Sequence, residues 1–348
     1  MSGPMTAAEA AALLADGDLV ALGRAADGVR RRLHPNRPVT FIIDRNINYT
    51  NVCVSGCRFC AFYRPAGHPE SYLLSHEAIL DKVGEAVAAG ATQVMLQGGL
   101  HPDVSLSYFS DLFAKIKQKY AITIHSLSPA EIIHLSRLTG QPASEVLCRL
   151  KAAGLDSLPG GGAEILVDEV RRRVSPAKIS AADWLAVMRA AHGAGLATTA
   201  TMVIGLGESY EQRVEHFEVI RRLQAETGGF RAFIMWSYQP GNTELGGTKT
   251  AAWDYLRTLA VARLYLDNFR HIQGSWVTQG ERIGQLTLAF GADDLGSIML
   301  EENVVRAAGT AYEMSVAKMV GLIRAAGRVP AQRDTEYNIL KVYEAVEG

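Results

Sequence analysis

Long apolar runs are missing from this sequence. No stretch approaches the roughly 18 uninterrupted apolar residues that a membrane-spanning helix needs, so a transmembrane role is not expected. Basic runs are missing too. With 35 Lys and Arg against 36 Asp and Glu, the net charge is −1, which gives no electrostatic footing for nucleic acid or a membrane surface. Met1–Ala15 contain no Lys or Arg, unlike the positive start of a secretory signal, and the expected compartment is the cytoplasm. Cysteine is scarce: four residues in 348 do not make a disulfide scaffold, yet three of the four fall within eight positions. That concentration points to metal or redox chemistry. What remains is an ordinary globular balance, 48% hydrophobic and 20% charged, long enough to bury a large core.

The chain reads as strands alternating with helices. Thr6-Ala-Ala-Glu9 is a capping box that opens a helix running toward Arg32. Apolar or β-branched runs predict strands at Val39–Ile43, Gln93–Leu96, Ile122–His125, Ser157–Pro159, Thr198–Ile204, Ala232–Trp236, Ile272–Val277 and Leu286–Phe290. Ser128-Pro-Ala-Glu131, Ser180-Ala-Ala-Asp183 and Ser209-Tyr-Glu-Gln212 start helices, and Gly90, Gly154 and Gly195 close them. About eight such units over roughly 250 residues favour an α/β fold of the closed (β/α) TIM-barrel type. The expected division is an N-terminal helical extension (1–38), the barrel (39–300) and a C-terminal extension (301–348) packing on it. In that last stretch a helix from Ser315, an extended segment after Pro330 and a short helix ending at Gly348 are expected.

The decisive segment is the loop after the first strand, where Cys53, Cys57 and Cys60 stand at C-x₃-C-x₂-C spacing. Three thiolates so placed can each bind one iron of a cubane cluster and leave the fourth iron open to a ligand. A structural zinc site is the alternative, but it needs a fourth ligand. The nearest candidate, His68, has no standard zinc spacing. Cys148, inside a predicted helix, reads as an inert buried thiol.

With the aromatic Phe59 before its third cysteine, the loop resembles the signature of the radical S-adenosylmethionine (SAM) superfamily. The resemblance implies a 4Fe–4S cluster on the three cysteines and SAM chelating the open iron through its amino and carboxylate groups. It also implies Phe59 beside the adenine, and reductive cleavage of SAM to a 5′-deoxyadenosyl radical. Gln97-Gly98-Gly99 ends the second strand where the superfamily has a Gly-Gly-Glu-like motif reaching the SAM amino group. The Glu is missing here, so only the glycine backbone carries over. Gly205 to Glu208 end the fifth strand where the superfamily has an adenine-binding segment.

The flanks, Asn48-Tyr-Thr-Asn51 and Cys60-Ala-Phe-Tyr-Arg64, are similar to the branch of menaquinone (futalosine pathway) and deazaflavin-cofactor synthases. Within it the chain most resembles the dehypoxanthine futalosine cyclases. The segments that carry this include Gln97–Pro102, Ser157–Ile165, Thr227–Phe233, Trp236–Thr243, Ser275–Gly280, Gly291–Ser297 and Glu301–Asn303. The resemblance implies hydrogen abstraction from the ribose 4′ carbon of a nucleoside, attack of the carbon radical on a benzoate ring, and loss of one electron and one proton. It also implies a reduced flavodoxin or ferredoxin as electron donor. The aminofutalosine synthases are the nearest competing family, and a non-catalytic iron–sulfur electron carrier is the competing class.

The remaining assignments follow from residue type. Glu164 is a candidate for the SAM ribose or the substrate, or else a buried acid paired with an Arg. His125 at the third strand's end and Asp293, with Asp294, after the eighth are candidate bases for the final proton. Gln239, Ser275, Thr278 and Gln279 are candidates for the sugar diol. Trp236 and Trp276 are candidates for stacking on the benzoate, and Arg64 or Arg282 for its carboxylate.

Overall fold

The computed structural model describes residues 5–344. Eleven strands form one sheet: β1 (Val39–Ile42), β2 (Asp44–Ile47), β3 (Gln93–Leu96), β4 (Thr123–Ser126), β5 (Ser157–Leu158), β6 (Ala197–Ile204), β7 (Phe230–Ser237), β8 (His271–Gln273), β9 (Asp294–Ser297), β10 (Pro330–Arg333) and β11 (Ile339–Val342). The order is β11-β10-β1-β9-β8-β7-β6-β5-β4-β3-β2. Every neighbouring pair is parallel except β10 with β11.

β1 and β2 are one stretch of chain with Ile43 between them, and its hydrogen bonds reach both ends of the row. Just after β9, Ile298 N and Leu300 N donate to Ile42 O and Asp44 O at 3.0 and 3.1 Å. Around β3, Thr92 N and Gln97 N donate to Ile43 O and Ile47 O at 3.2 Å. The parallel part therefore curls until it meets itself, with β1–β2 as a single broken strand. This is the expected α/β barrel, with helices outside and all strand C-termini on one rim. Ser128, Ser180 and Ser209 cap their helices on that rim, and Gly154, at φ +119°, turns the chain out of a helix toward β5.

Three expectations change. The first helix is two, Ala7–Asp16 and Leu19–Leu33, because the Asp18 side chain caps a new start by accepting from Ala21 N at 2.7 Å. Leu286–Phe290 is not a strand but the end of the helix Glu281–Leu286 and a 3₁₀ turn, Thr287–Ala289. A short apolar run does not by itself separate strand from buried helix. The eighth barrel strand is the polar segment β9, whose Asp294 is matched inside by Thr40 and Arg333. The tail, expected only to pack on the barrel, adds β10 beside β1 and then β11; the end of the expected short helix at Gly348 lies outside the described residues, since 345–348 are not described.

The segment after β10 closes the barrel floor. The Tyr337 ring stacks on His271 with centroids 3.7 Å apart, and the Arg333 guanidinium lies 3.9 Å from the same ring. The Thr335 hydroxyl donates to Gln93 Oε1 at 2.8 Å.

Candidate active site

The cysteine loop leaves β2 on the open rim and is tied on several sides. Arg64 N donates to Asn51 O at 2.7 Å and Cys53 N to Arg64 O at 3.1 Å, which closes the loop's base. Val54 N reaches Leu100 O at 3.0 Å, and Arg58 N reaches Val174 O at 2.9 Å. Gly56, at φ +53°, makes the tight turn between the first two cysteines. Beneath the loop lie Gly98 and Gly99. A Cβ on Gly99 would stand 2.1 Å from Val52 O and 2.8 Å from Cys53 Cβ, and one on Gly98 would meet the Tyr49 ring at 2.7 Å. The two glycines let the loop sit directly on the end of β3.

Cys53, Cys57 and Cys60 line one open cleft of about 870 Å³, together with Phe59, Gln97, Gly98, Gly99 and Glu164. All three thiols are free. Burial pushes the Cys57 thiol up to about 11 and raises that of Cys60. The cleft also holds two titratable groups that the sequence did not single out as site residues. The Lys178 ammonium sits 2.7 Å from Glu164 Oε1 and 5.5 Å from the Phe59 ring centroid; burial would lower it, but the Glu164 carboxylate beside it holds it protonated. Glu131 accepts from the Tyr49 hydroxyl at 2.7 Å and from Gly98 N at 3.3 Å, and burial pushes its carboxyl up to about 7. Glu164 is held at φ +43°, unusual for a side-chain-bearing residue, and its Oε2 is buried without a hydrogen-bond partner.

The barrel mouth continues from this cleft. Phe59, Cys60 and Gln97 also border an apolar compartment of about 930 Å³ walled by Met95, Trp236, Val277 and Met299. Gln97 further borders the lumen below, which reaches His125, Arg231 and Arg333 at the floor.

Two family models match the chain: "Radical SAM superfamily" over residues 47–220 and "CofH/MqnC C-terminal region" over residues 227–346. The chain belongs to the radical SAM superfamily. It is 48% identical to the cyclic dehypoxanthine futalosine synthase of Streptomyces coelicolor, covering 98% of this chain and 87% of that one. Identity to the same-named protein of Halalkalibacterium halodurans is 47%, over 94% and 89%. The aminodeoxyfutalosine synthase of Thermus thermophilus is 40% identical over 95% and 91%. Among solved structures, methylornithine synthase matches with a TM-score of 0.76 over 95% of each chain, at 20% identity; it speaks for the fold alone.

Radical SAM enzymes use a 4Fe–4S cluster and SAM, and the cleft fits both. Three free thiols line the same cleft without a disulfide, Cys57 buried and Cys53 and Cys60 half-buried, and thiols raised by burial, as those of Cys57 and Cys60 are, ionise readily only against a metal. The glycine cradle, the orphaned Glu164 Oε2 and a Lys–Glu pair give a zwitterionic ligand polar partners of both signs.

Other expected members of the radical SAM site lie elsewhere. Gly205 and Glu208 do not border the cleft: Glu208 turns back to accept from Gly205 N and Leu206 N at 2.9 and 2.8 Å and pairs with Arg213 at 2.9 Å. These bonds tie the turn after β6. Asp293 comes before its strand rather than after it, so it lies at the floor. There it pairs with Arg263 at 2.6 Å and His271 at 2.6 Å; burial alone would raise its carboxyl, but these partners hold it below the usual carboxylate range. His34, His271 and Asp293 lie within 4.8 Å of one another in a metal-like group, yet Arg263 already fills the carboxylate's free side.

His125 is inside β4 and faces the lumen, its Nδ1 2.7 Å from Ser157 Oγ; burial, with Arg231 and Arg333 nearby, takes it well below ordinary histidine, so it is a weak base. Glu164 satisfies part of both readings, pairing with Lys178 and Arg171 while facing the cleft. Arg64 is spent on Glu70 and on the carbonyls of Ala61 and Tyr63, and Arg282 is exposed. Cys148 is exposed rather than buried, and His68 Nδ1 accepts from Glu70 N. Trp236 borders the apolar compartment, whereas the buried Trp276 donates to Ser297 O at 2.9 Å. Gln239 and Thr278 border that compartment but bond largely to neighbouring strand-end groups, as do Ser275 and Gln279.

Glu131 carried a signal that was legible only as a helix cap. The residue three positions into a helix reaches back over its cap, and here the cap, Ser128, stands on the rim. Lys178, in the turn before Ser180, carried no signal.

Proposed function

We infer that this chain is a cyclic dehypoxanthine futalosine synthase, closing a ring in a nucleoside of menaquinone biosynthesis. The observation that carries the reading is near-full-length identity of 48% and 47% to two proteins of that name, against 40% to an aminodeoxyfutalosine synthase. The deep apolar mouth beside the cysteines supports it, because a carrier of electrons alone needs no substrate compartment.

When bound, the 4Fe–4S cluster supplies the electron that splits SAM into methionine and a 5′-deoxyadenosyl radical. Cys53, Cys57 and Cys60 are its proposed ligands. Glu131 brings to the Gly98 amide the carboxylate that the Gln97-Gly98-Gly99 run lacks, and is the proposed acceptor for the SAM ammonium. Lys178 is the proposed matching cation for the carboxylate, and Phe59 and Glu164, which line the same cleft, are the proposed partners of the adenine and the ribose. The apolar walls of Met95, Trp236 and Val277 take the benzoate ring and exclude water. A flavodoxin or ferredoxin is the proposed electron donor.

The test offers dehypoxanthine futalosine and enolpyruvyl benzoate in parallel to the anaerobically reconstituted protein with SAM and reductant. Free 5′-deoxyadenosine with a cyclised nucleoside is expected. An adenosyl adduct of the benzoate would assign the aminofutalosine reaction instead, and no 5′-deoxyadenosine above background would leave only an electron carrier.

A further inference from the structure

The cyclisation ends with a ring carbon that must shed a hydrogen, and the bases expected from sequence are a weak histidine in the lumen and two saturated aspartates, Asp293 held by Arg263 and His271 and Asp294 by Thr40 and Arg333. The apolar compartment that fits the benzoate has one free carboxylate on its wall. Of the titratable groups bordering it, Cys60 belongs to the cysteine trio, and the Tyr238 hydroxyl is turned to Thr243 and to Gly246 O at 3.1 Å. Glu302 remains.

Its carboxylate is fixed by backbone alone. Oε1 accepts from Val304 N at 3.0 Å, and Oε2 accepts from Val305 N at 2.8 Å and Arg306 N at 3.1 Å. A carboxylate has about four acceptor positions, so one on Oε1 stays open. No ion pair among the described residues uses this side chain, whereas its neighbour Glu301 is committed to Arg45 and Lys82 at 2.7 and 2.9 Å. Burial raises the carboxyl despite its three N–H partners, which makes it a better proton acceptor than an exposed glutamate.

The same side chain borders a second cavity of about 740 Å³, lined by polar groups that include Glu301, Arg306, Thr310 and Glu313. Arg306 and Glu313 are both largely solvent-exposed there. Glu302 thus stands between the apolar compartment and a polar cavity open to solvent.

We propose that Glu302 is the base that takes the ring proton and passes it to solvent through this outer cavity. This rests on the cyclase reading. In the step, the ring carbon already bonded to the ribose 4′ carbon loses its hydrogen as a proton to Glu302. The C–H electron pair stays to restore the aromatic sextet, and the one surplus electron leaves to a one-electron acceptor of the iron–sulfur class.

The experiment measures cyclised product per 5′-deoxyadenosine in the reconstituted enzyme and in E302Q and E302D, with dehypoxanthine futalosine carrying hydrogen or deuterium at the closing ring position. Equilibrium dialysis with the substrate confirms that each variant binds it. The parent is expected to give equal amounts of the two products. E302Q is expected to keep cleaving SAM while the ratio falls on the order of a hundredfold, with a further fall on deuteration. E302D, which keeps the anion but draws it back, is expected to fall between the two; it also covers the case in which the amide of E302Q, unable to accept on both atoms, loosens the segment. A substrate-binding E302Q or E302D with the parent's ratio and no deuterium effect overturns the proposal and leaves the cyclase reading intact. A parent that forms no cyclised nucleoside overturns both.

Discussion

Glu131→Gln separates what the cleft's buried carboxylate does for binding from what it costs the fold. Burial pushes Glu131 from 4.5 to about 7. Below pH 4.5 the folded and unfolded chains both hold the proton and there is no difference. As pH rises, the unfolded chain releases it first, so stability falls, and above 7 the penalty is constant. The gap of about 2.5 between the two values, at about 1.4 kcal/mol each, makes that penalty about 3 kcal/mol. The glutamine keeps an oxygen for Tyr49 and Gly98 but cannot ionise. At about 2.1 cal/mol/K of unfolding entropy per residue, 3 kcal/mol corresponds to about 4 °C for a chain of this length. The apo variant is therefore expected to melt near the parent at pH 5 and about 4 °C above it at pH 8. SAM binding to the cluster-loaded protein, measured by equilibrium dialysis, is expected to weaken by about tenfold or more, since a hydrogen bond to a charged partner is worth about 1.5–3 kcal/mol. Methylthioadenosine, which lacks the ammonium, should bind both proteins alike. Equal melting differences at both pH values, together with unaltered SAM affinity, would refute the reasoning.

Three other outcomes are expected. Gly99→Ala puts a methyl group 2.1 Å from Val52 O; the overlap costs about 1–3 kcal/mol and is relieved by pushing the cysteine loop outward, so iron and sulfide content should drop while far-ultraviolet circular dichroism is retained. Arg333→Ala leaves the fully buried Asp294 without its two guanidinium bonds of 2.6 and 3.0 Å, a loss of about 3–5 kcal/mol visible as a lower melting temperature; the affinity of the folded fraction for SAM should not change. Glu208→Gln should cost about 1–3 kcal/mol in stability by weakening its bonds to Arg213 and the β6 turn, with SAM affinity unchanged. A specific loss of SAM binding there would restore Glu208 to the cofactor site.

The cysteine trio was legible because its information is local: the spacing of three thiols on one loop limits what they can bind before any fold is known. The strand–helix rhythm was legible for the same reason, since caps such as Ser128 and terminal glycines such as Gly154 act within a turn of chain. β9 was not. Its Asp-Leu-Gly-Ser sequence carries no strand pattern, and it is a strand because Arg333, 39 residues on, neutralises Asp294 inside the barrel.

By itself, then, the sequence determined the metal-binding chemistry and the alternating architecture, each the product of short-range spacing. Only the tertiary structure decided the polarity of the site. It set Asp293 on the floor and Glu208 in its own turn, and it brought Glu131, Lys178 and Glu302 to the mouth. A carboxylate's role depends on which distant charge and how much water it meets, and both are consequences of how the barrel closes.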